Sequence, residues 1–440
     1  MKKMRLLRIV VLVAVIITCI VAESVNAATQ SVIVLNVKGI INPVTAGYII
    51  RGISEAEKQQ DKLCVIQLDT PGGLDTAMRD IVQAIVNSKV PVAVYVSPSG
   101  ARAASAGVFI TVAAHFAAMA PNTAIGAASP VSIGSEGEQT LSETMQTKVM
   151  NDAAAYIRSL AASHGRNVDW AEQAVREAVS ATETEALNLK VIDMIAPDVT
   201  SLLAKIDGRE VKLIDGTVVK VQTAGLPVTN LDMTWTEKLL LSLSDPNIAY
   251  ILMGLASLGL LVEISHPGLI FPGVAGGISL IFALFSLGSM PVNIAGVLLI
   301  GLAFILFVVE ALTPATFGAL TAGGVASLVM GGLILFKGGP LFQVNPWVIA
   351  LVAVLVGGLF AFIITRVVKA QRLRAATGKE ELEGAIGMVR VTLKPEGVVM
   401  VKGELWSAVS EEGTIMVGEQ VLIRKINGLQ LFVTKIKKGG

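Results

Sequence analysis

Two small-residue turns and one lysine carry the chemistry that this chain is able to do. Thr70-Pro71-Gly72-Gly73-Leu74 follows a strand-like run at 64–69 and leads into a helical stretch. Arg102-Ala103-Ala104-Ser105-Ala106-Gly107 follows a β-branched run at 92–96 and leads into an apolar helix. A serine at such a junction sets its hydroxyl at the positive end of a helix, where the first N–H groups lack intrahelical acceptors. The N–H of Ala106 and one from the Gly72-Gly73 turn could then converge on a developing oxyanion. Each such donor is often worth about 3–4 kcal/mol of transition-state stabilisation. Glycine and alanine suit these places because a bare backbone lets a scissile carbonyl approach closely.

A serine hydroxyl is a poor nucleophile without a base, and the chain has three histidines. His115 lies ten residues beyond Ser105 on the same predicted helix, roughly 15 Å along its axis. His164 follows a later helix in a surface turn, and His266 falls at the membrane. Lysine replaces histidine when burial makes its neutral form accessible. Lys148 has Met145, Val149, Met150 and Ala153 around it at helical spacing, on a helix predicted over 141–163. The residue pattern alone leaves two readings of each group open. Ser105 is a nucleophile or a small residue in a close-packed turn; Lys148 is a buried base or an exposed partner of Asp152 at i+4.

The elements that must position these residues read as α/β. Short β-branched runs at 32–35, 65–68 and 92–96 alternate with helical stretches at 46–59 and 74–88. That alternation predicts βαβ units and a largely parallel sheet. A more polar segment, 205–228, reads as a tail of this domain or a linker.

Composition changes the setting. Hydrophobic residues make up 53% of the 440 and charged residues 16%, with a mean hydropathy of +0.69; part of such a chain belongs in lipid. Basic Lys2, Lys3, Arg5 and Arg8, an apolar run at 9–21 and small residues at Ala27 and Ala28 predict an export signal over 1–28. The α/β domain, 29–230, is then extracytoplasmic. Apolar spans are predicted at 248–262, 274–287, 294–309, 317–336 and 348–368, within a membrane domain over 240–370. Several are shorter than the about 20 residues that a spanning helix usually needs. Arg366, Lys369, Arg372 and Arg374 follow the last span and favour a cytoplasmic finish. Glu263, Pro267, Gly276 and Gly277 recur with one spacing as Glu310, Pro314, Gly323 and Gly324. This repeat reads as helix packing or, in the sharper alternative, as a transport site.

After a basic connector, the 380–440 segment shows short alternating strands at 388–392, 397–401, 419–423 and 430–433, which predict a small closed barrel of OB type. Nucleic-acid binding by such a barrel needs exposed aromatics and a basic groove. Trp406 and Phe432 are nearly its only aromatics, and the net charge is +1, so no nucleic-acid partner is expected. The barrel reads as an interaction module. Neither a metal nor a cofactor is expected, because no Cys/His cluster has ligand spacing. Cys64, in a strand-like run, reads as a core residue, and Cys19 falls in the export signal.

Thr70-Pro71-Gly72-Gly73, Ala104-Ser105-Ala106-Gly107 and the stretch from Lys148-Val149-Met150-Asn151-Asp152 to Arg158 resemble the long-form NfeD family, the membrane-bound stomatin-operon partner proteases. Glu185-Ala186-Leu187 to Val191-Ile192-Asp193 is similar to the end of that family's ClpP/crotonase-like domain, and Gly403-Glu404-Leu405-Trp406 to its C-terminal OB domain. The resemblance spans nearly the whole chain. It implies a serine peptidase with Ser105 as nucleophile and Lys148 as base, and an oxyanion hole at Gly72, Gly73 and Ala106. It also implies hydrophobic substrate segments in stomatin-like membrane proteins, with the bilayer and further copies of the chain as partners. Two alternatives stand beside it: a non-catalytic scaffold for a stomatin-like assembly, and an acyl-CoA enzyme, which an export signal disfavours.

Overall fold

The computed structural model describes residues 30–130, 143–265, 267–313, 318–337, 342–372 and 382–436. The expected export signal, with Cys19, lies outside them, as does His266. The first domain begins with β1 (Val32–Lys38), α1 (Pro43–Gln59), β2 (Leu63–Asp69), α2 (Asp75–Val86) and β3 (Val92–Val96). There follow β4 (Arg102–Ala104), α3 (Ala106–Val112), β5 (Phe116–Met119), β6 (Ala124–Gly126) and α4 (Glu143–Ser163). Next come α5 (Val168–Arg176), β7 (Ser180–Thr182), α6 (Glu183–Asn188), β8 (Met194–Ile195) and α7 (Val199–Ile206). The domain closes with β9 (Glu210–Lys212), β10 (Val218–Lys220) and β11 (Val228–Asn230).

Six strands form one parallel sheet in the order β11-β1-β2-β3-β5-β8. Both faces of a parallel sheet are covered by its crossovers, so its strands carry near-continuous apolar runs; every residue of β3 is buried. The two-residue period divides them. Ile33, Leu35, Ile66, Leu68, Val94 and Val96 pack against α1 to α5, while Val32, Val34, Val65 and Tyr95 pack against α7 and the β9–β10 hairpin. Cys64 is fully buried in the first of these cores, and burial pushes its thiol pKa well up. The 205–228 segment is therefore not a linker. It holds the hairpin under the sheet and leads directly into the sixth strand.

A strap then ties this domain to the membrane helices. Leu231 N–H donates to Val34 O at 2.9 Å. The Tyr48 hydroxyl donates to Leu231 O at 2.6 Å and accepts from Asn36 N–H at 3.1 Å. The strap continues into α8 (Trp235–Leu243), whose Thr234–Glu237 capping box satisfies its first N–H groups. Arg51 on α1 grips Glu237 with two bonds of 2.8 and 2.7 Å.

The membrane helices are α9 (Pro246–Ser265), α10 (Phe271–Gly288), α11 (Ile294–Leu312), α12 (Ala319–Ile334) and α13 (Pro346–Arg372). The first three, of 20, 18 and 19 residues, are long and apolar enough to cross a bilayer. The observed helices outrun several of the predicted spans because polar residues such as Asn247 and Ser265 are helical too. Ile281, Leu298 and Val354 are 65, 67 and 70% exposed, a costly arrangement in water and an ordinary one in lipid.

The repeat falls on two hairpins, α9–α10 and α11–α12. A Cβ at Gly276 would meet the Leu260 nitrogen at 2.8 Å, and one at Gly324 the Phe307 ring at 2.5 Å. Buried Glu310 accepts from Thr321 N–H at 3.1 Å, and Glu263 accepts from Gly268 N–H at 3.3 Å. Each acid thus braces the turn or helix start that follows it. The tight glycine is the first of the pair in one copy and the second in the other, so close packing is common to both hairpins but does not repeat position for position.

The chain divides into two compact units, with a boundary inside α13 at Gly357/Gly358. The second unit carries β12 (Ile386–Val391), β13 (Glu396–Val401), β14 (Glu404–Ser410), β15 (Gln420–Asn427) and β16 (Gln430–Lys435). They close into a barrel in the order β12-β13-β14-β16-β15. Val389, Val399, Val401, Val421, Ile423, Leu431 and Val433 fill it. β14 is absent from the strands read in the sequence, since Glu404, Trp406 and Ser407 blur its alternation. Trp406 packs partly buried against the barrel core, and Phe432 is half-buried.

Tyr48→Phe removes the hydroxyl while leaving Leu231 O and Asn36 N–H in place. A buried polar group left without its partner costs about 1–3 kcal/mol. The variant should show a lower unfolding temperature and faster amide exchange at Leu231; unchanged exchange there would mean that the strap is held by other contacts.

Candidate active site

Ser105 sits where two sheets meet. The end of β2 bonds to β4 through Thr70, whose N–H donates to Arg102 O at 2.7 Å and whose O accepts from Ala104 N–H at 3.1 Å. β4 belongs to a second sheet, β4-β6-β7. Beyond β6, Ala127 O accepts from Ser105 N–H at 3.1 Å. Held on both sides, Ser105 adopts φ 51° and ψ −112°, a conformation that L-residues adopt only when their surroundings impose it. Ala127 is also at positive φ, 49°. The bend aims the serine out of β4 immediately before α3.

The glycines around it are there for space. A Cβ on Gly72, whose φ is +119°, would lie 2.7 Å from the Ser105 Cβ, and one on Gly107 would lie 2.7 Å from the Thr70 methyl. At Gly73 a Cβ would meet Ile41 O at 2.0 Å. Gly72 N–H is engaged by the Thr70 hydroxyl at 3.0 Å. The Gly72 N–H, one of the expected oxyanion donors, is thus already taken within its own turn. The bridge to Ile41 uses the groups on either side of Gly73, with Ile41 N–H to Gly72 O at 2.9 Å and Leu74 N–H to Ile41 O at 2.8 Å. Ala106 N–H, at the start of α3, has no acceptor within its helix.

A cavity of about 490 Å³ opens over these groups and is lined by Gly73, Ser105, Ala106 and Lys148. The structure thus brings Ser105, Gly73, Ala106 and Lys148, all read from the sequence, to one cavity. Lys148 departs from expectation in one respect. It is exposed, as are Met145 and Val149 beside it, rather than buried. The first turns of α4, residues 144–149, are exposed. The alternative, a Lys148–Asp152 pair, is not formed either. Asp152 bonds to Arg79 at 2.5 Å, and among the described residues no acid pairs with Lys148.

Residues not singled out in the sequence complete the walls. Arg79 bonds to Asp75 at 2.8 Å as well as to Asp152, and its guanidinium lies 4.7 Å from the centroid of the Tyr156 ring. Leu74, Met78 and Phe109 give the cavity an apolar lining. Asp75 and Arg79, four apart on α2, were legible as an i,i+4 pair; their position at the cavity was not. Phe342, ahead of α13, also lines it, and nothing local in the sequence points to that.

The histidines stand elsewhere. His115 is buried and accepts from Val92 N–H through Nδ1 at 3.2 Å; burial pulls its pKa down to about 4. His164 lies in the expected turn after α4, half-buried, 6.0 Å ring to ring from His115. It lies 16 residues along from Lys148, about 24 Å at the helical rise. Among the described residues, no group of His, Cys, Asp or Glu could hold a metal ion.

A parallel sheet, a small second sheet that bends the serine, and a helix bringing a lysine over the cavity define a ClpP/crotonase-like α/β domain, followed by membrane helices and a closed barrel of OB type. The profile of the NfeD1b N-terminal domain matches residues 31–218, that of the NfeD integral membrane domain 247–366, and that of the NfeD-like C-terminal, partner-binding domain 379–435. A membrane-bound protease of Pyrococcus horikoshii is 39% identical over 422 residues, covering 94% of this chain and 95% of the relative. The membrane protein NfeD1b of Bacillus subtilis is 27% identical over 437 residues, covering 93% and 94%. Among solved structures, a 1510-N membrane protease specific for a stomatin homolog from Pyrococcus horikoshii is 36% identical, with a TM-score of 0.43, covering 49% of this chain and 100% of that one. The chain belongs to the NfeD family.

Gly72→Ala and Gly100→Ala separate backbone strain from crowding. Both positions have positive φ, +119° and +87°, but nothing lies within 4 Å of a Cβ at Gly100. Gly100→Ala should cost about 1–2 kcal/mol, the ordinary penalty for a Cβ in left-handed backbone. Gly72→Ala should lower the unfolding temperature further, because Ser105 must move. Equal losses would mean that Ser105 does not press on Gly72.

Proposed function

We propose that this protein is a membrane-anchored serine endopeptidase in which Ser105 is the nucleophile and Lys148 its general base. The observation that carries the reading is the convergence of Ser105, Gly73, Ala106 and Lys148 on one cavity. The membrane-bound protease relative, aligned over nearly the full length of both chains, supports it. Neutral Lys148 takes the Ser105 proton as Oγ attacks the scissile carbonyl. The oxyanion forms beside the N–H groups of Gly73 and Ala106. Lys148 then returns the proton to the departing amine, and water admitted by the same base releases the acyl group. For this to happen water must leave the exposed ammonium. A bound substrate or a second copy of the chain, lying over Met145 and Val149, supplies that cover.

The substrates are apolar segments of membrane proteins, including a stomatin-like partner; the similarity of the C-terminal barrel to a partner-binding domain supports this. An export signal and five crossings would place the protease domain outside and the barrel in the cytoplasm. The exposure of Lys148 favours a second reading, a non-catalytic scaffold for such a partner.

Ser105→Ala and Lys148→Arg decide between them. The first removes the nucleophile; the second keeps the positive charge but cannot give up its proton near neutral pH. Both should abolish cleavage of an apolar peptide by the full-length protein in detergent, with the unfolding temperature unchanged. Wild-type turnover in folded Lys148→Arg would exclude Lys148 as the base. Cleavage surviving in Ser105→Ala would exclude the nucleophile.

A further inference from the structure

The loop between α12 and α13 belongs to the membrane domain at both ends. Lys337 N–H donates to Pro291 O at 2.7 Å, Val292 bridges to Phe336, and Asn345 N–H donates to Asn247 Oδ1 at 2.7 Å. From this loop Phe342 reaches the cavity over Ser105 and is only 6% exposed. An aromatic ring in a loop beside a bilayer has two easy fates, the lipid interface and solvent; this one takes neither. Phe342 precedes Pro346, the first residue of α13, by four positions. A chain of that length spans at most about 14 Å. The backbone of Phe342 therefore lies within that distance of the end of a membrane helix, with the cavity one side chain beyond it.

With Phe342 in place the cavity still measures about 490 Å³, within the range of about 300–1,000 Å³ that holds a ligand. The ring forms part of the wall and leaves the space open. It adds to the apolar lining that Leu74, Met78 and Phe109 supply from the soluble domain. We infer that Phe342 is a specificity-determining residue: the membrane domain contributes one wall of the cleavage site, and that wall selects substrates carrying a large apolar side chain presented at the membrane surface. The inference rests on the protease reading, since a wall has a selective role only where a peptide is bound and cut.

The test uses the full-length protein in detergent and a peptide series that differs only in carrying Phe, Leu or Ala at one central position. Phe342→Ala should raise KM for the Phe and Leu peptides about tenfold, the scale on which apolar pocket contacts discriminate. It should leave kcat little changed and level the preference between large and small side chains. Phe342→Trp, which keeps an aromatic wall but narrows the cavity, should shift the preference towards Ala and guards against misreading a folding defect. Faster turnover of all three peptides in Phe342→Ala would make the ring a plug and overturn the inference. An unaltered preference in both variants would overturn it as well. Affinity for the same peptides, compared between Ser105→Ala and Ser105→Ala/Phe342→Ala, needs no chemistry. Loss of cleavage in the wild type would remove the protease reading, whereas equal affinities in this pair would remove the Phe342 role alone.

Discussion

The strained backbone of Ser105 is the constraint on which the site depends. A φ of 51° with ψ −112° is not a conformation that an isolated serine would keep, since such outliers cost about 1–3 kcal/mol. It persists because the hydrogen bonds of Thr70 fix β4 from one side and Ala127 O fixes the Ser105 N–H from the other. The parallel sheet supplies the first anchor and the small sheet the second. Remove either, and the serine would relax into the turn that its small neighbours also permit. The glycines follow from the same constraint, because a backbone bent this sharply leaves no room for a Cβ at Gly72 or Gly107.

A second constraint fixes where this site works. The strap from β11 through α8 binds the sheet to the first membrane helices by the Tyr48–Leu231 bond and the Arg51–Glu237 pair. The loop carrying Phe342 closes the circuit from the other side. A soluble domain on a flexible tether would meet any passing chain. On the proposed protease reading, one held at two places over the membrane helices would meet chains that emerge from the bilayer nearby, and substrate choice would be a matter of position as well as of pocket shape.

Much of this was legible in the sequence because it was local. The alternating runs gave the parallel sheet, and the two small-residue turns hold three of the residues that line the cavity, Gly73, Ser105 and Ala106. The amphipathic period could not tell whether Lys148 is covered, because cover depends on what lies across the cavity and no neighbour in sequence reports that. Gly72 was read as a donor because spacing carries no information on which way an N–H points; the Thr70 hydroxyl takes it. The segment 205–228 reads as either a tail of the domain or a linker, since its strands are only three residues long. Phe342 was invisible because it lies more than 200 residues beyond Ser105. Barrel strand β14 was lost to a blurred alternation, with Trp406 only half-buried.

The central claim is that Ser105 becomes covalently acylated during the reaction. Its most direct test is mass spectrometry of the full-length protein, quenched in acid moments after mixing with an activated ester of an apolar N-blocked peptide. The account predicts a mass increase equal to the acyl group, mapped to the fragment containing Ser105 and lost again as hydrolysis proceeds. No adduct on protein that cleaves the peptide, or an adduct at another residue, would contradict it.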